Sequence, residues 1–299
     1  MKLKKMLALT MAAVLAAGLT ACGSSADTSA APAAESTAAT ADAAGAPDGD
    51  PTTLTVAMEC AYAPYNWTQS DDSNGAVAIR GSSDYAYGYD VMMAKKIGEA
   101  LGQQVQIVKL DWDSLIPAVM SGDVDCVIAG QSITAERAAQ VDFSNPYYYA
   151  SIVTLTKKDS AYANAASVAD LAGATATSQL GTIWYDTCLP QIENANILPA
   201  QETAPAMLVA LNSGACDIVV TDRPTAQAAL VAYPDFTLLD FGGGDNDFKV
   251  SEEDINIGIS MKKGNTALQS AINEVLSTMT ADDYNAMMDD AISVQPLSE

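Results

Sequence analysis

Arg137 stands where a cation needs an explanation. It follows the run Ala129-Gly130-Gln131-Ser132-Ile133-Thr134, in which Thr134 is a good helix N-cap, and a helix is predicted from Ala135. A positive charge in the first helical turn opposes the helix dipole. The placement suits an anion held between the guanidinium and the open N–H groups of the turn. An exposed ion pair with Asp142 is the competing reading, and such pairs are common and weak. A second turn, Gln179-Leu180-Gly181-Thr182-Ile183, also opens a predicted helix after a glycine and also suits an anion. Thr221-Asp222-Arg223-Pro224 follows a predicted strand, as does the loop Glu59-Cys60-Ala61-Tyr62-Ala63-Pro64-Tyr65-Asn66-Trp67. Both fall at the carboxyl edge of a sheet, where ligands of open α/β folds sit.

The elements that hold these residues alternate. Leu54–Met58, Val105–Val108 and Val124–Ala129 are short apolar runs that fit buried parallel strands. Between the first two, Val91, Ala94, Ile97 and Leu101 have helical spacing, with Asp90 as the expected cap and Gly102 as the stop. Trp112 precedes a helix at Leu115–Met120. Ile152–Lys157, Ala174–Ser178 and Asp217–Val220 repeat the pattern, with helices at Ser167–Gly173, from Gln179 to about Cys188, and at Pro205–Leu211. Ile255–Ser260 is a returning crossing before helices at Thr266–Met279 and Asp282–Ala291. Strand and helix in alternation give sheets with helices on their faces. Thr68–Tyr87 is a polar insert directly after the first loop, a place that suits a flap, with Ala76–Ile79 as a small hairpin strand. Asp71-Asp72-Ser73-Asn74-Gly75 within it has the composition of a calcium loop but reads as a solvated turn.

Composition narrows the function. The 299 residues carry 37 Asp and Glu against 14 Lys and Arg, a net charge of −23. That argues against nucleic acid, which needs a basic surface. The absence of histidine removes Ser-His-Asp and Cys-His catalysis and a histidine-containing zinc site. Cys60, Cys126, Cys188 and Cys216 form no CxxC pair and read as small buried residues; no metal site and no cofactor is expected. Residues 1–22 have a basic start, an apolar run from Met6 to Leu19 and then Leu-Thr-Ala-Cys, which matches a lipobox with Cys22 as the lipidated residue. An ordinary secretory signal is the alternative. Residues 23–51, rich in Ala, Ser, Thr, Gly, Pro and Asp, form an expected disordered tether. No later stretch is long and apolar enough to span a membrane.

Trp112-Asp113-Ser114-Leu115-Ile116-Pro117, Ser121-Gly122-Asp123, the Ala129–Thr134 run, Glu136-Arg137 and Asp142-Phe143-Ser144-Asn145-Pro146-Tyr147-Tyr148 occur in one order at close spacing. Together they resemble the polar amino-acid-binding proteins of ABC importers, solute-binding family 3, from about Leu54 to about Met288. The resemblance implies a type II periplasmic-binding-protein-like fold, with two lobes of mainly parallel sheet flanked by helices and a two-strand hinge. Lobe 1 would comprise 52–149 and 257–299, and lobe 2 would comprise 150–256.

It further implies that Arg137 binds a ligand carboxylate with help from N–H groups at Ser132 and Ile183. Asp222 and the Gly130 carbonyl would hold an α-ammonium. Tyr62 and Trp112 would wall the side chain, with Glu59 and Gln179 near its end and Gln131, Gly181 and Thr182 lining the site. Ile183 departs from the polar residue or glycine usual there, which removes a hydroxyl contact. The implied role is a monomeric lipid-anchored substrate-binding protein on the extracytoplasmic face. It would touch the membrane through its anchor only and deliver a polar neutral amino acid such as glutamine or cystine, or a basic one, to a permease. The alternatives are a solute-binding-fold enzyme acting on a small carboxylic acid and a ligand-sensing lipoprotein.

Overall fold

The β-branched and aliphatic run at Thr53–Met58 (β1) is buried along nearly its whole length, as a strand covered on both faces must be. It belongs to a computed structural model that describes residues 51–296. The signal segment 1–22 with Cys22, and all but the last residue of the 23–51 tether, lie outside the described residues.

After β1 the chain makes two short strands, β2 (Ala61–Tyr62) and β3 (Asn66–Gln69), then β4 (Val77–Ala78) and β5 (Tyr85–Tyr87). These four form their own antiparallel sheet in the order β2-β3-β5-β4. Helix α1 (Tyr89–Leu101) follows, ended by Gly102 in the left-handed conformation as expected. Asp90 does not cap it. The helix starts two residues earlier than that cap implies, after Gly88, where the backbone of Tyr65 passes so close that a Cβ would meet the Tyr65 carbonyl oxygen at 2.4 Å. Asp90 instead turns inward and accepts bonds from Tyr147 and Asn66. Strand β6 (Gln104–Lys109), helix α2 (Leu115–Ser121), strand β7 (Cys126–Val127), helix α3 (Ala135–Gln140) and strand β8 (Asp142–Phe143) complete this part.

Tyr148–Tyr149 (β9) then carries the chain across to β10 (Ile152–Lys157). The second half contains β11 (Thr175–Thr177), β12 (Asn196–Ile197), α4 (Ala204–Ser213), β13 (Ile218–Asp222), α5 (Arg223–Ala232), β14 (Phe236–Leu239) and the single turn α6 (Glu252–Ile255). The helix expected at Ser167–Gly173 is a 3₁₀ turn at Val168–Leu171, and the one after Gln179 is a five-residue wide turn of π type at Trp184–Cys188. Strand β15 (Asn256–Ile257) pairs antiparallel with β9, so the expected two-strand hinge is present. Strand β16 (Ser260–Met261) and helices α7 (Thr266–Ser277) and α8 (Ala281–Val294) follow.

The two main sheets have the orders β6-β1-β7-β16-β8 and β12-β11-β13-β10-β14. In each, four strands share a direction and one, β16 or β10, runs opposite. The odd strand in each case is the one entered directly from the hinge. The sheets are therefore mainly parallel, as alternation predicts. The insert is not a free flap. Ile79 is buried and bridges Ile107 at the open edge of β6, where Arg80 donates its N–H to the Ile107 carbonyl at 2.8 Å. It thereby covers an edge that would otherwise be exposed to strand pairing. Among the described residues no helix is long and apolar enough to cross a membrane.

Candidate functional site

Thr134 caps α3 as its sequence predicts, its Oγ1 accepting from the Arg137 N–H at 3.3 Å. This sets Arg137 on the first turn with its side chain pointing back over the preceding loop. Nη1 donates to the Ser132 carbonyl at 3.0 Å and Nη2 to the Gly181 carbonyl at 2.9 Å. The guanidinium carbon lies 5.4 Å from the centroid of Trp112, a cation–π distance. The pair with Asp142 does not form; that carboxylate accepts from the Gly264 N–H, and Arg137 is in no ion pair among the described residues. Burial brings its pKa down to about 10, while Glu136, Asp186 and Asp254 pull it back up. A cation is thus held in place by neutral groups.

Gly181 sits at φ +65°, and a Cβ there would come within 3.2 Å of Trp112 Nε1. Its carbonyl accepts from Trp112 Nε1 as well as from Arg137, so one glycine of the second lobe meets two side chains of the first. Thr182 closes the turn by donating to the Gln179 carbonyl at 2.7 Å. Trp112, Gln131, Arg137, Gly181, Thr182 and Ile183 line one cavity of about 500 Å³. Gln131 is fixed there by a bond from Ser260 on β16.

The other predicted residues gather as a second group. Asp222 is fully buried at the N-cap of α5, where Oδ1 accepts from the Thr225 N–H at 2.9 Å and Oδ2 from the Thr225 hydroxyl at 3.1 Å. Tyr62, from the other lobe, donates its hydroxyl to Oδ2 too. Burial raises the Asp222 pKa against these donors. Glu59, at the end of β1, accepts two bonds from Gln179 Nε2 at 3.3 and 3.1 Å, again across the lobes. With no cation in contact, burial pushes its pKa to about 7; the Gln179 bond lowers it, Asp111 raises it, and Lys109 offsets that weakly.

The two expected aromatic walls each have another partner. Trp112 covers Arg137, whereas Tyr62 stacks on Tyr65 at 4.8 Å and tilts against Trp184 at 6.2 Å. Tyr65 and Trp184 were not singled out by sequence; Tyr65 lies three residues beyond Tyr62, a spacing that could have marked it. Gly130, at φ +61°, passes under these rings so closely that a Cβ would lie 2.7 Å from Tyr62. Its N–H donates to the Tyr147 hydroxyl, which donates to Asp90. Burial raises Asp90 to about 7 despite the Tyr147 and Asn66 bonds. Arg223, by contrast, is a partly exposed rim charge paired with Asp240. The four cysteines of residues 51–296 are unpaired and buried.

Two α/β lobes joined by paired crossing strands make a two-lobe solute-binding protein of type II. The chain belongs to the bacterial extracellular solute-binding proteins, family 3, whose model matches residues 54–291. A "Probable histidine-binding protein" of Campylobacter jejuni is 30% identical over 62% of this chain and 66% of its own. The match thus spans just under two thirds of that relative. The L-cystine-binding protein TcyJ of Escherichia coli K12 is 26% identical over 77% of this chain and 78% of its own. A crystal structure of the substrate-binding protein of an amino acid ABC transporter superposes with a TM-score of 0.66 at 27% identity, covering 81% of this chain and 99% of that one.

Proposed function

We propose that this chain is the substrate-binding component of an ABC importer. It captures an α-amino acid between lobe 1 (52–149 and 257–299) and lobe 2 (150–256) and presents it to a membrane permease. It acts as a monomer tethered by a lipid on Cys22 after removal of residues 1–22, with no enzymatic turnover. The reading is carried by two charges, one on each lobe, that have no opposite charge bonded to them among the described residues, Arg137 and Asp222. Arg137 is a guanidinium without a carboxylate, and Asp222 is a buried carboxylate without a cation among the described residues. An α-amino acid supplies both missing charges a few ångströms apart. A ligand that bridges the lobes binds the closed form more tightly than the open one, and that difference drives closure.

In this reading Arg137 takes the carboxylate with N–H groups of Ser132 and Ile183, exchanging the carbonyls of Ser132 and Gly181 for a charged partner. Asp222 and the Gly130 carbonyl take the ammonium. Tyr62 and Trp112 enclose the side chain, and Glu59 with Gln179 reads its end. Glu136, Asp186 and Asp254 line the same cavity as Arg137. They and Glu59 repel an acidic side chain and leave polar neutral and basic ones, in keeping with relatives named for histidine and cystine.

The test is a thermal-shift and calorimetric screen of protein denatured and refolded to strip bound ligand. It would use the standard L-amino acids, L-cystine and L-ornithine. Ligand at a hundredfold excess over Kd stabilises by about 2.7 kcal/mol. A shift with one or a few α-amino acids, and their recovery unchanged after long incubation, is expected. Binding of carboxylic acids that lack an ammonium as tightly as the amino acids would break the Arg137–Asp222 model.

A further inference from the structure

The hydroxyl of Tyr65 is buried and has no hydrogen-bond partner among the described residues. Its neighbours differ. Tyr62 donates to Asp222, Tyr147 to Asp90, and Tyr89 to the Tyr147 carbonyl. A phenol buried without a partner is destabilising, because its contacts with water are lost and nothing replaces them.

Nothing about the ring lets it turn away. Tyr65 stacks on Tyr62 with 4.8 Å between centroids and 20° between planes. Tyr89 and Tyr148 each close on it edge to face at 6.1 Å. Gly130 leaves room for both rings of the stack, and a Cβ there would come within 3.2 Å of Tyr65 Cγ. The stack sets the Tyr65 ring beside that of Tyr62, whose hydroxyl reaches Asp222. Of the charged groups, Asp222 acts on Tyr65 most strongly, adding to burial in raising its pKa.

We propose that Tyr65 is a further ligand-contacting residue, its hydroxyl oxygen accepting one hydrogen of the ligand's α-ammonium beside Asp222. The inference rests on the reading of Asp222 as the ammonium site. An ammonium has three hydrogens in a tetrahedral fan and one carboxylate cannot take them all. Asp222 Oδ2 already receives the Tyr62 and Thr225 hydroxyls, which leaves acceptor capacity short on that side. The Tyr65 oxygen has its lone pairs free and is fixed in the same buried wall.

Because the ammonium is common to all α-amino acids, Tyr65 contributes affinity without selecting among side chains. The test is titration calorimetry of wild type and Tyr65→Phe with L-arginine, L-histidine, L-glutamine and L-cystine, alongside thermal melts without ligand. The phenyl ring keeps every stacking contact. The expected result is a Kd raised about tenfold for each amino acid that wild type binds, by a similar factor for all, with an unliganded melting temperature equal to or above wild type. An unchanged Kd overturns the proposal and leaves the amino-acid reading standing. Weakening confined to one amino acid also overturns it, since that marks a side-chain contact. If wild type binds none of the panel or of the wider set above, the reading of Asp222 falls and this inference with it. A crystal structure with a bound amino acid decides independently of the variant, through a Tyr65 Oη to α-nitrogen distance of about 3 Å or its absence.

Discussion

Arg137 and Asp222 are opposite charges placed at the N-terminal turns of two helices, and the protein treats them in opposite ways. Arg137 sits where the dipole of α3 disfavours it, in the lining of a cavity, its guanidinium bonded to two carbonyls and lying over the face of Trp112. Asp222 sits where the dipole of α5 favours it, fully buried, with donors on both oxygens. One charge is kept available and contributes little to the fold. The other is part of the fold's wiring and becomes available only as its Tyr62 bond is exchanged. In the proposed reading, function and stability are thus uncoupled at Arg137 and joined at Asp222.

The sharpest way to break that contrast is to remove each anchor and measure binding and stability together. Arg137→Ala is expected to weaken every α-amino acid by a hundredfold or more, since a charge-assisted bidentate contact is worth about 3 kcal/mol. Its unliganded stability should change by less than about 1 kcal/mol, the scale of partly exposed bonds. Asp222→Ala should abolish binding too, but should also destabilise by about 2–3 kcal/mol, through the lost cap and the stranded hydroxyls of Tyr62 and Thr225. Calorimetry and urea melts on both variants decide. Equal stability losses would remove the distinction.

The buried Glu59 tests the same idea through pH. Its carboxyl has its pKa raised to about 7 from an ordinary 4.5, chiefly by burial. The folded protein therefore holds that proton more tightly than the unfolded chain does. The associated stability is full below about pH 4.5 and is lost as pH rises towards 7, a change on the order of 3 kcal/mol at most. Asp90, raised to about 7 from 3.8, acts with the same sign. Melting temperature should fall between pH 5 and pH 8, and Glu59→Gln should flatten the Glu59 share of that slope. A basic ligand would bind more tightly as Glu59 ionises, a neutral one would not. A pH-independent melt would mean that neither carboxyl is desolvated in solution.

The difference between the anchors also explains what was legible in the sequence. Thr134 before Arg137, Gly102 as a helix stop, and the returning crossing at Asn256 could be read because each depends on a local rule of caps, glycines or alternation. The lobes and the two-strand hinge followed from those rules together with the ordered motifs of the resemblance. Asp90 was misread as a cap because its burial depends on Tyr147, far along the chain. The facing walls of Tyr62 and Trp112 were inferred as a pair. Which partner each ring takes depends on how the lobes meet, and local sequence does not encode that. Trp184 escapes a local reading for the same reason, since it meets Tyr62 across the lobes, whereas Tyr65 packs against Tyr62, Tyr89 and Tyr148 of its own lobe.

The smallest effect concerns the insert, which stands to the cleft as edge protection stands to chemistry. Among the described residues its main-chain links to the first sheet are at Ile79 and Arg80, both onto Ile107. Ile79→Asp puts an unpaired carboxylate into a buried contact at that edge, so the hairpin should detach from β6 while β1 and β7 keep their pairing. The expected readout is faster amide exchange confined to the Val77–Tyr87 hairpin and Ile107, with increased self-association as the β6 edge is uncovered. Amino-acid affinity should stay within about twofold, since neither Arg137 nor Asp222 touches the insert. A large loss of affinity would instead tie the insert to the cleft, through Thr68 and Lys109, which bond to each other at 3.0 Å beside Cys60. In that case a first-lobe edge would position Glu59 from behind.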